Sequence, residues 1–289
     1  VNTLAITGPT SFVGRHVLSA LADEPYDVLA VCRHPDATLA PHARWLALDL
    51  LDDDAVGALF AAEKPAHLLH LAWCAGSPHY RTDPANLAWA RTSGVIGDAF
   101  FAHGGRRAVL AGTSAEHQAA GARSLYAESK AQAAQAMSAH ARSRERRFAW
   151  GRIFVPYGPF DAAFRLVPSL IDALLGGRVA RCSPGTQVRD FVHVADVANA
   201  FVRLLESERD GPVDIGTGRG VSVHGAAQEI GRQIGRPDLL RFDGPEPTGS
   251  EPRVLVAQPA ELQALGWRAR HIETGFAETI AWHRTRTPE

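Results

Sequence analysis

Thr7-Gly8-Pro9-Thr10-Ser11-Phe12-Val13-Gly14 follows the apolar run Thr3 to Ile6 and opens a helix that the sequence carries to about Leu21. A buried strand, a tight turn and a helix start place backbone N–H groups at the positive end of a helix dipole. A pyrophosphate fits there. The pattern is TGxxGxxG with one departure, because Ser11 stands where the middle glycine is expected. Serine is small enough for close approach, although a positive φ at that position would strain it. An ordinary strand-to-helix turn has the same local pattern. Its place at the head of an alternating α/β series favours the phosphate-binding reading.

That series extends outward from the turn. Asp27 to Cys32 reads as the second strand and ends in Cys32-Arg33-His34-Pro35. An acid at such a tip bonds a ribose 2′-hydroxyl and selects NAD, whereas a cation suits the 2′-phosphate of NADP. The tip carries Arg33 and no acid, so NADP is expected over NAD. Trp45 to Leu50 reads as a third strand with Asp49 at its end, followed by a helix over about 52–62. His67 to Trp73 is nearly continuous apolar sequence, as in a strand buried on both faces. His70 within it reads as a packed core histidine. A helix over about 84–103, a strand over 107–111, a helix over 125–142 and a strand over 148–154 complete the alternation. The expectation is an α/β fold, a Rossmann-type doubly wound parallel sheet spanning 1–155 and joined by about 190–217. Residues 156–289 are expected to form a smaller substrate-binding lobe, with an exposed loop at Asp243 to Pro252.

The strand over 107–111 leads into Gly112-Thr113-Ser114, and the next helix carries Tyr126-Ala-Glu-Ser-Lys130. Residues i and i+4 share a helix face, so the phenol and the ammonium point the same way. A nearby cation favours the phenolate, which brings a tyrosine toward acid–base work near neutral pH. Thr113 can bond the same oxygen. In isolation the spacing also fits a solvated helix face.

Bulk composition narrows the classes. The 289 residues carry a net charge of -1, with 46% hydrophobic and 21% charged residues. No basic field argues for nucleic acid or an acidic membrane. Cys32, Cys74 and Cys182 are widely spaced, with no CxxC and no HExxH. Neither a disulfide framework nor a metal site is suggested, and a reducing cytoplasm fits. No apolar run reaches the ~18 residues of a membrane span. The first residues read as a strand at once, so no signal peptide is expected.

Taken together, the chain resembles an extended short-chain dehydrogenase/reductase of the NAD-dependent epimerase/dehydratase group acting on nucleotide sugars. The resemblance rests on TGPTSFVG, Asp49-Leu50, His70 to Trp73, Gly112-Thr113-Ser114 and Tyr126 to Lys130. It also rests on Gly151-Arg152 through Tyr157-Gly158-Pro159, Arg189 to Val194, Asp214 to Gly218 and Leu265-Gly266-Trp267. It implies that Gly8, Ser11 and Gly14 lie under the pyrophosphate, with Phe12 and Val13 at the helix start. Arg33 would meet the adenosine ribose, and Asp49 with Leu50 the adenine. Leu71, Ala72, Trp73 and Pro156 would line the nicotinamide. Thr113, Tyr126 and Lys130 would be catalytic, with Tyr126 and Lys130 also touching the cofactor. Thr113, Arg189 and Arg253 would meet substrate, the arginines at its phosphates. Asp190 reads as a structural partner. A homodimer through the helices over 84–103 and 125–142 is implied.

Three departures refine this expectation. Glu116-His117-Gln118 replaces Val-Tyr-Gly after the catalytic hydroxyl, Val155-Pro156 replaces an Asn, and Ser114-Ala115 replaces the Asp-Glu pair of dehydratases. Leu71 to Trp73, Ala111 to Glu116 and Gly151 to Phe154 resemble the keto-deoxysugar reductases of the group. The leading expectation is therefore NADPH-dependent reduction of a nucleoside-diphosphate keto-sugar, a 4-keto-6-deoxyhexose. The alternatives are an epimerase with tightly bound NAD and a non-catalytic cofactor-binding scaffold.

Overall fold

The computed structural model describes residues 2–118, 122–245 and 252–286. Six strands lead the chain: β1 (Asn2–Thr7), β2 (Tyr26–Cys32), β3 (Arg44–Ala47), β4 (His67–His70), β5 (Arg107–Thr113) and β6 (Arg147–Ile153). Between them run α1 (Phe12–Ala20), α2 (Asp53–Glu63), α3 (Ala85–Ala102) and α4 (Leu125–Ser143). A seventh strand, Gly211–Ile215, returns from the C-terminal half and pairs with β6. The sheet order from that edge is the seventh strand, then β6, β5, β4, β1, β2 and β3. All these pairings are parallel.

The strand order reverses between β1 and β4, so the chain leaves these neighbours in opposite directions. A crevice opens at their carboxyl ends, where doubly wound sheets bind ligands. The sequence dictates the two-sided burial. Leu4 and Ile6 of β1 face a core shared with Val17 and Leu18 of α1. Ala5 faces the opposite core, with Phe60 of α2 and Phe100 of α3. Ser11, Asp52 and Ser124 each cap the helix that follows by accepting a backbone N–H. These caps end the β-to-α turns on the crevice side.

The third strand is shorter than the sequence pattern suggests. The Asp49 carboxylate accepts the Leu51 N–H, and the chain turns toward α2 before Asp49 and Leu50 can pair. Likewise β4 stops at His70, so Leu71 to Trp73 lie just past its end. β5 instead extends to Thr113 itself.

The remaining helices are α5 (Leu166–Leu175), α6 (Val194–Glu206), α7 (Val223–Ile234), α8 (Ala260–Ala264) and α9 (Ile272–Thr285). Apolar residues of α6, Val197 and Phe201 among them, join the sheet core on the α1 side. α5, α7 and α9 enclose a separate core around Tyr157, Ile171, Ile230 and Phe276. Of the Asp243 to Pro252 segment, residues 246–251 lie outside the described residues. Among the described residues, no helix is long and apolar enough to cross a membrane.

Candidate active site

The β1–α1 turn is built for close approach. Gly8 has φ +69°, and a Cβ there would lie 2.8 Å from the Ala72 backbone. A Cβ on Gly14 would lie 2.1 Å from the Gly8 carbonyl oxygen. Ser11 relieves the strain that its replacement of glycine suggests. Its φ is -69°, and its hydroxyl accepts the Gly14 N–H at 3.0 Å. The serine therefore caps α1 in extended backbone that any residue adopts. The glycines leave a shallow, side-chain-free cradle at the helix start, which fits a dinucleotide pyrophosphate.

A buried polar chain fastens this cradle to β4. The Ser93 hydroxyl donates to the Trp89 carbonyl at 2.8 Å, and His70 Nε2 lies 3.0 Å from that hydroxyl. The single serine proton is already used, so Nε2 carries the N–H and Nδ1 is the acceptor. The Thr7 hydroxyl, 2.6 Å from Nδ1, donates to it and accepts the Ala72 N–H at 3.3 Å. Burial and the Lys130 charge push the His70 imidazole down to about 3, so it stays neutral.

The sheet crevice continues into a cleft of about 830 Å³. Of the residues singled out from the sequence, Ser11, Phe12, Val13, Leu71 and Trp73 line it near the β1–α1 turn and the end of β4. Thr113, Tyr126, Lys130, Pro156 and Arg189 line it further along. Gly8, Gly14 and Ala72 pack beneath the turn. Arg33 and Asp49 are exposed just past β2 and β3, and Leu50 is buried beside Asp49. Arg253 is exposed and is not among the residues that line the cleft. Its carbonyl accepts the Val188 N–H at 2.8 Å, which ties it to a short strand edge.

Thr113, the last residue of β5, starts a capping box with Glu116 on a short 3-10 turn. Glu116 Oε1 accepts the Thr113 N–H at 3.0 Å, and Oε2 accepts the Trp150 indole N–H at 3.1 Å. Its carboxylate thus braces the threonine from behind and does not line the cleft. Burial pushes this carboxyl up. Tyr126, in the first turn of α4, lines the cleft with Thr113.

The expected electrostatics are reversed at Tyr126. The sequence spacing suggests a phenol pulled down by its lysine. In the structure burial dominates and pushes the phenol up, with only partial relief from Thr113 and Arg165. Lys130 is 3% exposed, and its Nζ donates to the Ala111 carbonyl at 2.8 Å. The same ammonium lies 3.9 Å from the Trp73 ring centroid. Burial lowers Lys130 to about 7, against the Glu116 charge, which raises it.

Tyr80, Asp161 and Arg165 are among the cleft residues that no sequence motif singles out by name. Their only sequence signal is position, in the loop after β4 and in the break before α5. Burial pushes the Tyr80 phenol up, but the Arg165 and Arg81 guanidiniums outweigh it and hold the phenol below its ordinary value. Asp190 is fully buried and accepts the backbone N–H groups of Thr217, Gly218 and Ala257, so it anchors loops. Among the described residues no cluster of His, Cys, Asp and Glu could hold a metal ion.

A family model described as the NAD dependent epimerase/dehydratase family matches residues 4–216. A dTDP-4-dehydro-6-deoxy-D-allose reductase from a Streptomyces species is 30% identical over 137 residues, 46% of this chain and 41% of that relative. The chain thus matches less than half the length of such reductases. UDP-glucuronic acid decarboxylase 6 from Arabidopsis thaliana is 26% identical over 294 residues, covering 92% of this chain and 84% of that one. Among solved structures, MoeE5 in complex with UDP-glucuronic acid and NAD superposes with a TM-score of 0.82. It is 27% identical, over 98% of this chain and 99% of that one.

Proposed function

The chain belongs to the NAD dependent epimerase/dehydratase family, and from that premise we propose that it reduces a keto group of a nucleoside-diphosphate sugar, a 4-keto-6-deoxyhexose, with NADPH. The observation that carries this reading is that Thr113, Tyr126 and Lys130 line one cleft together with Ser11, Phe12 and Val13 of the β1–α1 turn. Reduction needs a proton donor at the carbonyl oxygen, and Tyr126, which burial keeps in its phenol form, has that proton to give. An epimerase must first remove a proton, which favours a phenolate instead.

Residues 1–155 with about 190–217 would bind the cofactor, and the lobe over 156–289 the substrate. Gly8, Ser11 and Gly14 would hold the pyrophosphate at the N-terminus of α1, with Phe12 and Val13 at its first turn. Arg33 would take the 2′-phosphate, and Asp49 with Leu50 the adenine. Leu71, Ala72, Trp73 and Pro156 would shape the nicotinamide side. A nicotinamide cofactor bound there supplies a hydride to the sugar carbonyl carbon. Tyr126 gives its proton to the developing alkoxide, and Thr113 bonds the same oxygen. Lys130 orients ribose hydroxyls and supports the tyrosinate once the proton has left. Arg189 anchors the diphosphate, so binding energy far from the carbonyl positions the reacting carbon.

Elimination of water finds little support here. Ser114 and Ala115 occupy the places of an acid–base pair, and the carboxylate of Glu116 is committed to Thr113 and Trp150. The reading carries a homodimer through α3 and α4 and a cytoplasmic setting. The test is calorimetric binding of NADPH and NADH, after the purified protein is checked for bound cofactor by absorbance. Preference for dissociable NADPH, followed by turnover of a keto-sugar nucleotide, is expected. NAD that copurifies and does not exchange would overturn reduction in favour of epimerisation.

A further inference from the structure

The wall of the cleft beside Tyr126 is built from two distant segments. Tyr80 lies in the loop between β4 and α3, and its ring meets the Tyr126 ring edge-on at 4.9 Å between centroids. The Arg81 carbonyl of that loop accepts the Tyr126 N–H at 3.1 Å, so the loop is tied to the start of α4. Asn86 braces it further by donating to the Tyr80 carbonyl at 2.7 Å and accepting the Trp73 indole N–H at 2.7 Å.

Arg165, at the N-cap of α5, reaches this loop from the C-terminal lobe. It donates to the Tyr80 hydroxyl at 3.2 Å and to the Ala75 carbonyl at 3.4 Å. Its guanidinium carbon lies 4.6 Å from the Tyr80 ring centroid. Arg81 Nε donates to the same hydroxyl at 3.3 Å. The Tyr80 oxygen therefore accepts two guanidinium N–H bonds, and its own proton has no acceptor among the described residues. A phenol so polarised is a strong donor. Asp161 lies on the same wall and uses Oδ1 to accept the Ala162 N–H at 2.8 Å. Its Oδ2 has no partner among the described residues. Arg165 makes no ion pair within 4 Å among them either, and its charge is felt at Tyr126, Tyr80 and Asp161 alike.

This arrangement sits at the reacting end of the cleft, beside Tyr126. A polarised donor and an open carboxylate oxygen match adjacent oxygens of a hydroxylated ring. We propose that Tyr80, Arg165 and Asp161 form the sugar-recognition wall. In it the Tyr80 hydroxyl donates to one oxygen of the sugar, Asp161 accepts from a neighbouring hydroxyl, and Arg165 fixes and polarises Tyr80. The inference rests on the nucleotide-sugar reading and adds the residues that select the sugar. Arg189 would serve the diphosphate separately.

The experiment compares ligands that differ only by the sugar. The full-length protein is titrated calorimetrically with UDP-, dTDP-, CDP- and GDP-glucose and with the four free diphosphates. Tyr80→Phe keeps the ring contact with Tyr126 and removes only the hydroxyl. It is expected to bind the preferred sugar nucleotide about tenfold more weakly, the scale of one charge-assisted hydrogen bond, and the diphosphate unchanged. Asp161→Asn, read the same way, gives an independent second variant. Arg189→Met is expected to weaken both ligands together. Unchanged sugar-nucleotide affinity in Tyr80→Phe and Asp161→Asn overturns the inference. An equal loss for the free diphosphate overturns it too, since the wall would then read phosphate. A wild-type protein that binds none of these nucleotides removes the nucleotide-sugar reading itself, a result distinct from either.

Discussion

Replacing Thr7 by valine tests the buried chain beneath the cofactor cradle. Valine matches the shape of threonine and deletes only the hydroxyl. Two groups lose their partner: His70 Nδ1, 2.6 Å away, and the Ala72 N–H, 3.3 Å away. Thr7 and His70 are both 0% exposed, so water cannot replace the lost bonds. The histidine cannot adapt by switching tautomer. A bare Nε2 would need the Ser93 proton, which would take from the Trp89 carbonyl its side-chain donor. Each unpaired buried group costs about 1–3 kcal/mol. The added methyl returns about 0.8 kcal/mol, which leaves a net loss of about 1–5 kcal/mol. The assay is urea unfolding of wild type, Thr7→Val and Thr7→Ser, with the m-value checked for constancy. Thr7→Ser keeps the hydroxyl and should stay within about 1 kcal/mol of wild type. Because the Ala72 backbone abuts Gly8, NADPH affinity should fall with stability in the valine variant alone. Wild-type stability in Thr7→Val, or equal damage in both variants, would refute the hydrogen-bond reasoning.

Other outcomes follow from the same geometry. Folding holds the His70 pKa near 3, below its ordinary 6.5. Its contribution is present above about pH 6.5 and is lost as pH falls toward about 3, at roughly 1.4 kcal/mol per pH unit. Urea midpoints measured between pH 7 and 5 should fall accordingly, and a His70→Gln variant should show a flatter dependence. Tyr126→Phe keeps the edge-on ring contacts and removes the proton donor. Turnover should drop by about 10²–10⁴-fold with NADPH affinity nearly intact, and lost cofactor binding would make the tyrosine structural. Gly14→Ala drives a Cβ toward the Gly8 carbonyl. Fluorescence titration should show abolished NADPH binding, and wild-type affinity there would contradict the close approach.

The alternation of apolar strands and helices makes the doubly wound sheet legible in the sequence. β1, β4 and β5 are short apolar runs that only a sheet covered on both faces can bury. Element ends were less legible. β3 stops at Ala47 because the Asp49 side chain bonds Leu51, a local hydrogen bond that apolar periodicity does not register. Ser11 looked like a defect in the glycine pattern and is a helix cap, a choice made by one dihedral angle.

What the sequence determined by itself was local. A glycine at positive φ, a capping serine and a tyrosine and lysine four apart on α4 depend on neighbours within a few residues. They single out the β1–α1 turn and the Thr113, Tyr126 and Lys130 set, which the fold brings to one cleft. The tertiary structure decided what depends on distance and on exclusion of water. Burial raised Tyr126 and lowered Lys130, although the bare pair in water suggests a depressed phenol. Folding also brought Arg165 across the cleft to Tyr80, 85 positions away in the chain. Charge interactions strengthen as water is excluded. The site's acid–base character and its sugar-facing wall therefore exist only once the sheet and the lobe have closed around them.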